Sequence, residues 1–119
     1  MENYFFNIDM TMVAYNDENI GLTISDTTGT AVDVTGWSNM TYKASAPWTT
    51  DTIEVADAAI SQTSSGSGVT DTIVIPISAA KSAISKGLYN HEFSCEIASH
   101  DRTIFRGTIR ILERNAEVP

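Results

Sequence analysis

The stretch "SAISKGLYNHEFSCEI", residues 82–97, decides the fold class of this chain. A short polar run precedes Gly87, and after Gly87 every second residue is apolar for five steps. The apolar positions are Tyr89, His91, Phe93, Cys95 and Ile97. A period of two is typical of a strand with one buried face. The stretch therefore predicts a polar corner followed by a long β-strand.

The same period recurs along most of the chain, with turn-forming residues about every ten positions. Alternating segments occupy residues 5–13, 20–25, 39–46, 69–78 and 103–112. These segments predict an all-β fold, a sandwich of about seven to eight antiparallel strands. Its core is expected to contain Tyr89, Phe93, Cys95, Ile73, Ile75, Phe105 and Ile109, whose phases agree strand by strand.

One segment departs from this pattern. Residues 79–86 predict one short helical turn, because Ser78 can cap it and Gly87 can close it. The whole chain, residues 1–119, is interpreted as a single domain, with residues 1–5 as a candidate extended arm.

Composition narrows the classes of function. The chain has 15 acidic and 7 basic residues and a net charge of −8, so it should repel phosphate backbones, and nucleic acid is not an expected partner. The single cysteine excludes an intrachain disulfide. The first residues lack the features of a signal peptide, and the apolar runs are too short to span a bilayer. We therefore expect synthesis and folding in a cytoplasm and no membrane partner.

His91 and Cys95 are the residues most suggestive of chemistry. They could form a nucleophile–base pair or contribute two metal ligands. Four residues along a strand separate their Cα atoms by about 13 Å, which is too far for a thiolate–imidazole hydrogen bond. We therefore expect a core cysteine and a partly buried histidine near the sheet rim. No catalytic residue, cofactor or metal site is predicted, and the chain is not expected to be an enzyme.

All four arginines fall in the last predicted strand or directly beside it: Arg102, Arg106, Arg110 and Arg114. A spacing of four would put them on one face. If a "SHDR" hairpin, residues 99–102, pairs Ile97 with Phe105, then Glu96 lies opposite Arg106 and Glu92 opposite Arg110. The stripe could serve such cross-strand pairs, or it could contact an acidic neighbour. Both interpretations stay open.

Aromatic residues supply the other interface candidates. Trp48, just after Pro47, is either an exposed anchor or a plug over one end of the sandwich. Phe6 is in phase with the first strand, whereas Phe5 is out of phase and should point away from the core. We therefore expect Phe5, with Tyr4, to pack against another subunit.

The spacing of Ile84, Gly87 and Tyr89 resembles the tyrosine corner of immunoglobulin-like and fibronectin-type sandwiches. In those folds the tyrosine hydroxyl ties the corner to nearby backbone. The opening stretch is therefore interpreted as a corner and not as an active site.

The order of motifs from about Ile20 to Ile111 resembles the immunoglobulin-like module of tailed-phage structural proteins. The matching features are a D-x-T-G motif at 33–36, the alternating strand before Ser78, the G-x-Y motif at 87–89 and the mid-strand Gly107. Related modules occur in baseplate upper proteins, tail-fibre bases and small head decoration proteins. Because the sequence has no extension after Pro119, the fibre or receptor-binding part that baseplate members carry is not expected.

This resemblance implies a non-enzymatic virion protein, such as a capsid decoration or cement protein or a head–tail adaptor. Its expected location is the virion, assembled in the host cytoplasm. Its expected partners are major capsid or tail subunits, with many copies per particle or a homo-oligomer. The alternative is a carbohydrate-binding or adhesin module that uses Trp48. The candidate interface residues are Tyr4, Phe5, Trp48, Arg102, Arg106 and Arg110.

Overall fold

The computed structural model describes residues 6–113. This part of the chain contains a short 3-10 helix at Asp57–Ala59 and otherwise strands and loops. The strands are β1 (Phe6–Asn7), β2 (Met10–Val13), β3 (Glu18–Thr23), β4 (Ser38–Ser45), β5 (Ile53–Val55), β6 (Ser61–Thr63), β7 (Thr72–Ile77), β8 (Gly87–Ile97) and β9 (His100–Leu112).

These strands form two sheets. The larger sheet has the order β1-β9-β8-β4-β5, with β2 also paired to β9, and the smaller has the order β3-β7-β6. In immunoglobulin lettering, β3, β7 and β6 are strands B, E and D, and β9, β8, β4 and β5 are G, F, C and C′. The chain is an all-β, immunoglobulin-like sandwich, as the sequence predicted.

The expectation of antiparallel pairing throughout is wrong at the N-terminal strand. Both β1 and β2 run parallel to β9. Gly107 permits this close approach, because a Cβ atom there would collide with the carbonyl oxygen of Ile8. The carboxylate of Asp9 accepts hydrogen bonds from the Thr108 backbone N–H at 2.9 Å and its hydroxyl at 3.0 Å. The side chain of Asp9 thus supplies the acceptor at the point where the strand pairing is interrupted.

The inner faces of the two sheets enclose the core. All seven residues predicted to be buried are 3% exposed or less. The rings of Phe93 and Phe105, which lie opposite each other on β8 and β9, stack at 5.8 Å. The core prediction is therefore confirmed.

The corner before β8 is also confirmed, although it contains no helix. The backbone N–H of Ser82 donates to the carbonyl of Ser78 at 3.0 Å, which closes a single helical turn. The hydroxyl of Tyr89 donates to the carbonyl of Ser85 at 2.7 Å, as a tyrosine corner requires. Gly87 has a φ of 145°, and a Cβ atom there would approach the ring of Trp48 to 2.5 Å.

The β8–β9 hairpin turns earlier than expected. Its turn residues are Ala98 and Ser99, with φ of 52° and 69°, and Ile97 pairs with His100. Two successive positive φ values are typical of a type I′ hairpin turn. The predicted "SHDR" turn is wrong, because most of that segment already belongs to β9.

Candidate binding face

The outer face of the larger sheet is an open surface built mainly from its three long strands. It carries the alternate residues of β4, β8 and β9, whose neighbours point into the core. Most of its side chains are polar. Because the larger sheet packs its other face on the smaller sheet, this outer face is free to meet solvent or a partner.

Four charged residues cross this face in register, and we call them the charged row. From β5 to β9 they are Glu54, Lys43, Glu92 and Arg106, with Lys43 opposite both glutamates and Glu92 opposite Arg106. The guanidinium Nε of Arg106 contacts a Glu92 carboxylate oxygen at 2.9 Å. The signs therefore alternate strictly across four neighbouring strands.

An open depression of about 650 Å³ lies over Lys43, Glu92 and Arg106 of the charged row and the polar positions beside them. Ser45, Asn90 and Thr108 contribute to it from the three long strands, and Asn7 and Asp9 from the N-terminal strand. The lining offers hydrogen-bond donors, acceptors and both signs of charge. It contains no arrangement of a nucleophile beside a base.

One end of the larger sheet is apolar: Leu88 and Leu112 are exposed on its outer face, and Trp48 caps the corner beside them over Gly87 and Tyr89. We call these three residues, Trp48, Leu88 and Leu112, the apolar cluster. Their exposed fractions are 52%, 46% and 42%. The indole Nε1 of Trp48 donates to the Leu88 carbonyl at 3.2 Å. Leu112 is two residues beyond Arg110, the partner of Leu88, so the two leucines are diagonal neighbours about 7–8 Å apart. Exposed apolar groups gathered on a polar face are typical of a protein contact.

Trp48 combines the two alternatives left open by the sequence. Its ring lies 5.1 Å from the ring of Tyr89 and covers Gly87, so it acts as a plug at the corner. About half of its side chain still faces solvent, as an anchor would. Leu88 and Leu112 were not among the predicted interface residues. The sequence did contain a signal for them, because both are apolar residues at positions that alternate with the buried ones and should therefore face outward.

The predicted arginine stripe is wrong at Arg102. Ser94 pairs with Thr103 and Phe93 with Phe105, so Ile104 is an extra residue, a β-bulge that shifts the phase of β9. Arg106 remains on the outer face, whereas Arg102 lies opposite Cys95 on the other face.

The predicted charge pairs are corrected by the same register. Arg106 faces Glu92 and not Glu96, and Arg110 faces Leu88. Glu96 lies opposite Asp101 and accepts a hydrogen bond from Asn39 at 2.8 Å. Tyr4, Phe5 and Arg114 lie outside the described residues.

His91 and Cys95 are both core residues. His91 is 2% exposed, which is more buried than the sequence suggested, and Cys95 is 3% exposed. Burial raises the pKa of the Cys95 thiol to about 12, which opposes thiolate chemistry. Burial lowers the pKa of His91, although its bond to Ile8 and the charge of Asp9 oppose that shift.

The hydrogen bonds of His91 fix its tautomer. Its Nε2 faces the carbonyl oxygen of Ile8 at 2.6 Å, and a carbonyl can only accept, so Nε2 carries the proton. Its Nδ1 therefore accepts from the hydroxyl of Tyr42 at 2.9 Å. Nε2 thus holds the N-terminal segment at Ile8 against the sheet, whereas Nδ1 is occupied by Tyr42 of β4, so neither ring nitrogen is free for catalysis.

Within residues 6–113, no group of three or more His, Cys, Asp or Glu side chains could hold a metal ion. In the same range no helix has the length and apolar character needed to cross a membrane.

Comparisons with known proteins add little beyond the fold. No protein-family model matches the chain, and no curated protein matches it. One similar solved chain comes from structural work on the multimeric cell-adhesive interactions of VGSC beta subunits. It is 14% identical, with 92% of this chain and 93% of that chain covered and a TM-score of 0.37. A likeness at that score carries no argument, so the fold assignment depends on the strand order described above.

Proposed function

We propose that this chain is a non-enzymatic protein-binding module that acts through the outer face of its larger sheet. The observation that carries the proposal is the apolar cluster, which exposes Leu88 and Leu112 at one end of a polar face and Trp48 at the adjoining corner. Apolar anchors beside a polar, hydrogen-bonding surface are the usual composition of a protein interface. The burial of His91 and Cys95 agrees with this role, because it removes the best candidates for catalysis from solvent.

The biological setting that we propose is the particle of a tailed phage. The chain would serve there as a capsid decoration or cement protein or as a head–tail accessory subunit. The support for this setting is the sequence resemblance over residues 20–111. The tyrosine corner and the mid-strand Gly107, on which the resemblance depends, have structural roles in the fold.

Particle incorporation tests the proposal. Leu88→Ser and Leu112→Ser remove apolar anchors without touching the core, so we expect both variants to fold and to be depleted from purified particles. Val69→Ser is the matched control, because Val69 is 37% exposed and lies in the loop before β7 on the smaller sheet. Normal incorporation of both leucine variants would contradict the proposed role of the apolar cluster.

The N-terminal arm is a second proposed contact. Deletion of residues 1–5 removes Tyr4 and Phe5, whereas Phe6 and the bond between Ile8 and His91 remain. We expect the truncated protein to fold with unchanged stability and to enter particles less efficiently. Unreduced incorporation would exclude the arm as an attachment device.

Glycan binding remains the second candidate function, and the half-exposed ring of Trp48 favours it. Sugars stack on exposed indole rings, so a glycan ligand should quench tryptophan fluorescence. The protein-binding proposal predicts no quenching by host-surface glycans with Trp48 intact. Saturable quenching that is lost in Trp48→Ala would favour the glycan-binding function instead.

A further inference from the structure

The charged row has a symmetry that its individual ion pairs do not require. Reading from β5 to β9, its signs are negative, positive, negative, positive, carried by Glu54, Lys43, Glu92 and Arg106. Reading the row backwards inverts every sign. A row with this property is complementary to a reversed copy of itself.

A two-fold axis produces that reversal. Suppose two copies face each other across their larger sheets, with the axis parallel to the strands and between β4 and β8. Lys43 of each copy then faces the partner's Glu92, and Glu54 faces the partner's Arg106. Every charge of the row meets its opposite. An axis along the row would instead bring each charge against its own copy, so the pattern selects a single orientation.

The same axis also matches the apolar cluster. Trp48 and Leu88 lie at one end of the two central strands, next to the axis. Rotation about an axis parallel to the strands keeps that end in place, so Leu88 of one copy lies near Leu88 of the other, with Trp48 at the adjoining corner, whereas Leu112 on β9 lies farther from the axis. Isologous dimers have this self-complementary arrangement.

We infer that the outer face binds a second copy of this chain in a face-to-face two-fold dimer. This inference names one partner for the face used in the proposed function. The three long strands have 8, 11 and 13 residues and the flanking strands are shorter. At about 3.3 Å per residue and about 4.8 Å between strands, the face covers roughly 600 Å² per copy. That is below the roughly 800 Å² per partner of a standard interface, and the two depressions leave a hydrated centre, so the dimer is weak.

Two separate charge-reversal variants test the dimer. Because their mixture should restore association, a loss of association in one variant cannot be mistaken for misfolding. Lys43→Glu places two negative charges against each other across the axis, twice per dimer. Glu92→Lys does the same with positive charges. Each variant alone should dimerise at least about tenfold more weakly than the native chain, because like charges oppose each other in the interface. An equimolar mixture should recover the association, since residues 43 and 92 are then complementary at both contacts.

Sedimentation equilibrium of the native chain, each variant and the mixture, from about 10 µM to about 1 mM, measures these constants. Glu18→Lys is the control, because Glu18 is an exposed acid on β3 of the other sheet and should not change the association. If the row served only to stabilise its own sheet, the mixture would behave as the average of the two variants, and the inference would be overturned. A native chain that stays monomeric at about 1 mM would also overturn it. Particle incorporation is measured separately, so the proposed function would survive that result.

Discussion

The two faces of the β8–β9 hairpin are built from alternate residues of the same strands, yet they have opposite properties. On the inner face, Tyr89, Phe93 and Phe105 are fully buried and form the aromatic centre of the core. On the outer face, Leu88 and Arg106 are exposed. Neighbouring positions in the sequence therefore serve different purposes: stability on the inner face and, in the proposed function, binding on the outer face. Substitutions one residue apart should separate the two.

The largest expected contrast lies between Phe93 and its neighbour Ser94. Phe93→Ala removes a fully buried ring and should lower the free energy of unfolding by about 3–5 kcal/mol. Ser94→Ala, on the outer face, should change it by no more than about 0.5 kcal/mol. Urea denaturation measures both values. Equal losses in the two variants would contradict the division between the faces.

Gly87 lies at the corner where β8 begins. Its positive φ forms the corner, and its lack of a Cβ atom leaves room for the ring of Trp48. Gly87→Ala should cost about 2–3 kcal/mol, since alanine must adopt a positive φ and displace the indole ring. Gly68→Ala provides the matched control, with a φ of 97° but open space around it. It should cost only about 1 kcal/mol. A similar loss in both variants would show that Trp48 does not restrict position 87.

The backbone is strained at the tip of the β8–β9 hairpin. Ala98 and Ser99 adopt positive φ without being glycine or asparagine. The double variant Ala98→Asn, Ser99→Gly should therefore raise the free energy of unfolding by about 1–2 kcal/mol. Ala98→Val should lower it, because a branched side chain tolerates this conformation poorly. Thermal unfolding measures the three stabilities. If the double variant were no more stable than the native chain, or Ala98→Val no less stable, the turn assignment would be refuted.

His91 gives the smallest expected effect, since opposing contributions reduce the shift of its pKa. Burial lowers that pKa below its ordinary value of 6.5, so the unfolded chain binds more protons than the folded one as the pH falls. The free energy of unfolding should therefore decrease between about pH 7 and pH 5, before most carboxylates titrate. The slope should be smaller in His91→Gln. An identical slope in the variant would assign the effect to other groups.

Much of the inner face could be predicted from the sequence, because burial is encoded in the local period of two. The tyrosine corner was also local, since Ile84, Gly87 and Tyr89 are close in the chain. The parallel pairing of the N-terminal strand could not be predicted from the sequence, because it depends on a long-range contact between Ile8 and Gly107.

The outer face was harder to predict, because it depends on register. A spacing of four places arginines on one face only in a regular strand, and the bulge at Ile104 interrupts β9 between Arg102 and Arg106. The charged row involves four strands that are distant in sequence. Its alternation becomes visible only when all three registers are known.

The central claim, that the outer face holds the chain in a particle, is tested most directly by lysine labelling. Purified heads and tails are separated, acetylated under native conditions and analysed by mass spectrometry, with dilute free protein as the reference. Lys43 lies in the charged row, whereas Lys81 lies in the turn after β7, where its Nζ donates to the Glu54 carbonyl at 2.8 Å. The account predicts many copies of the chain in one fraction, with Lys43 protected more strongly than Lys81. Absence from both fractions, or labelling of Lys43 at the free-protein rate, would contradict it.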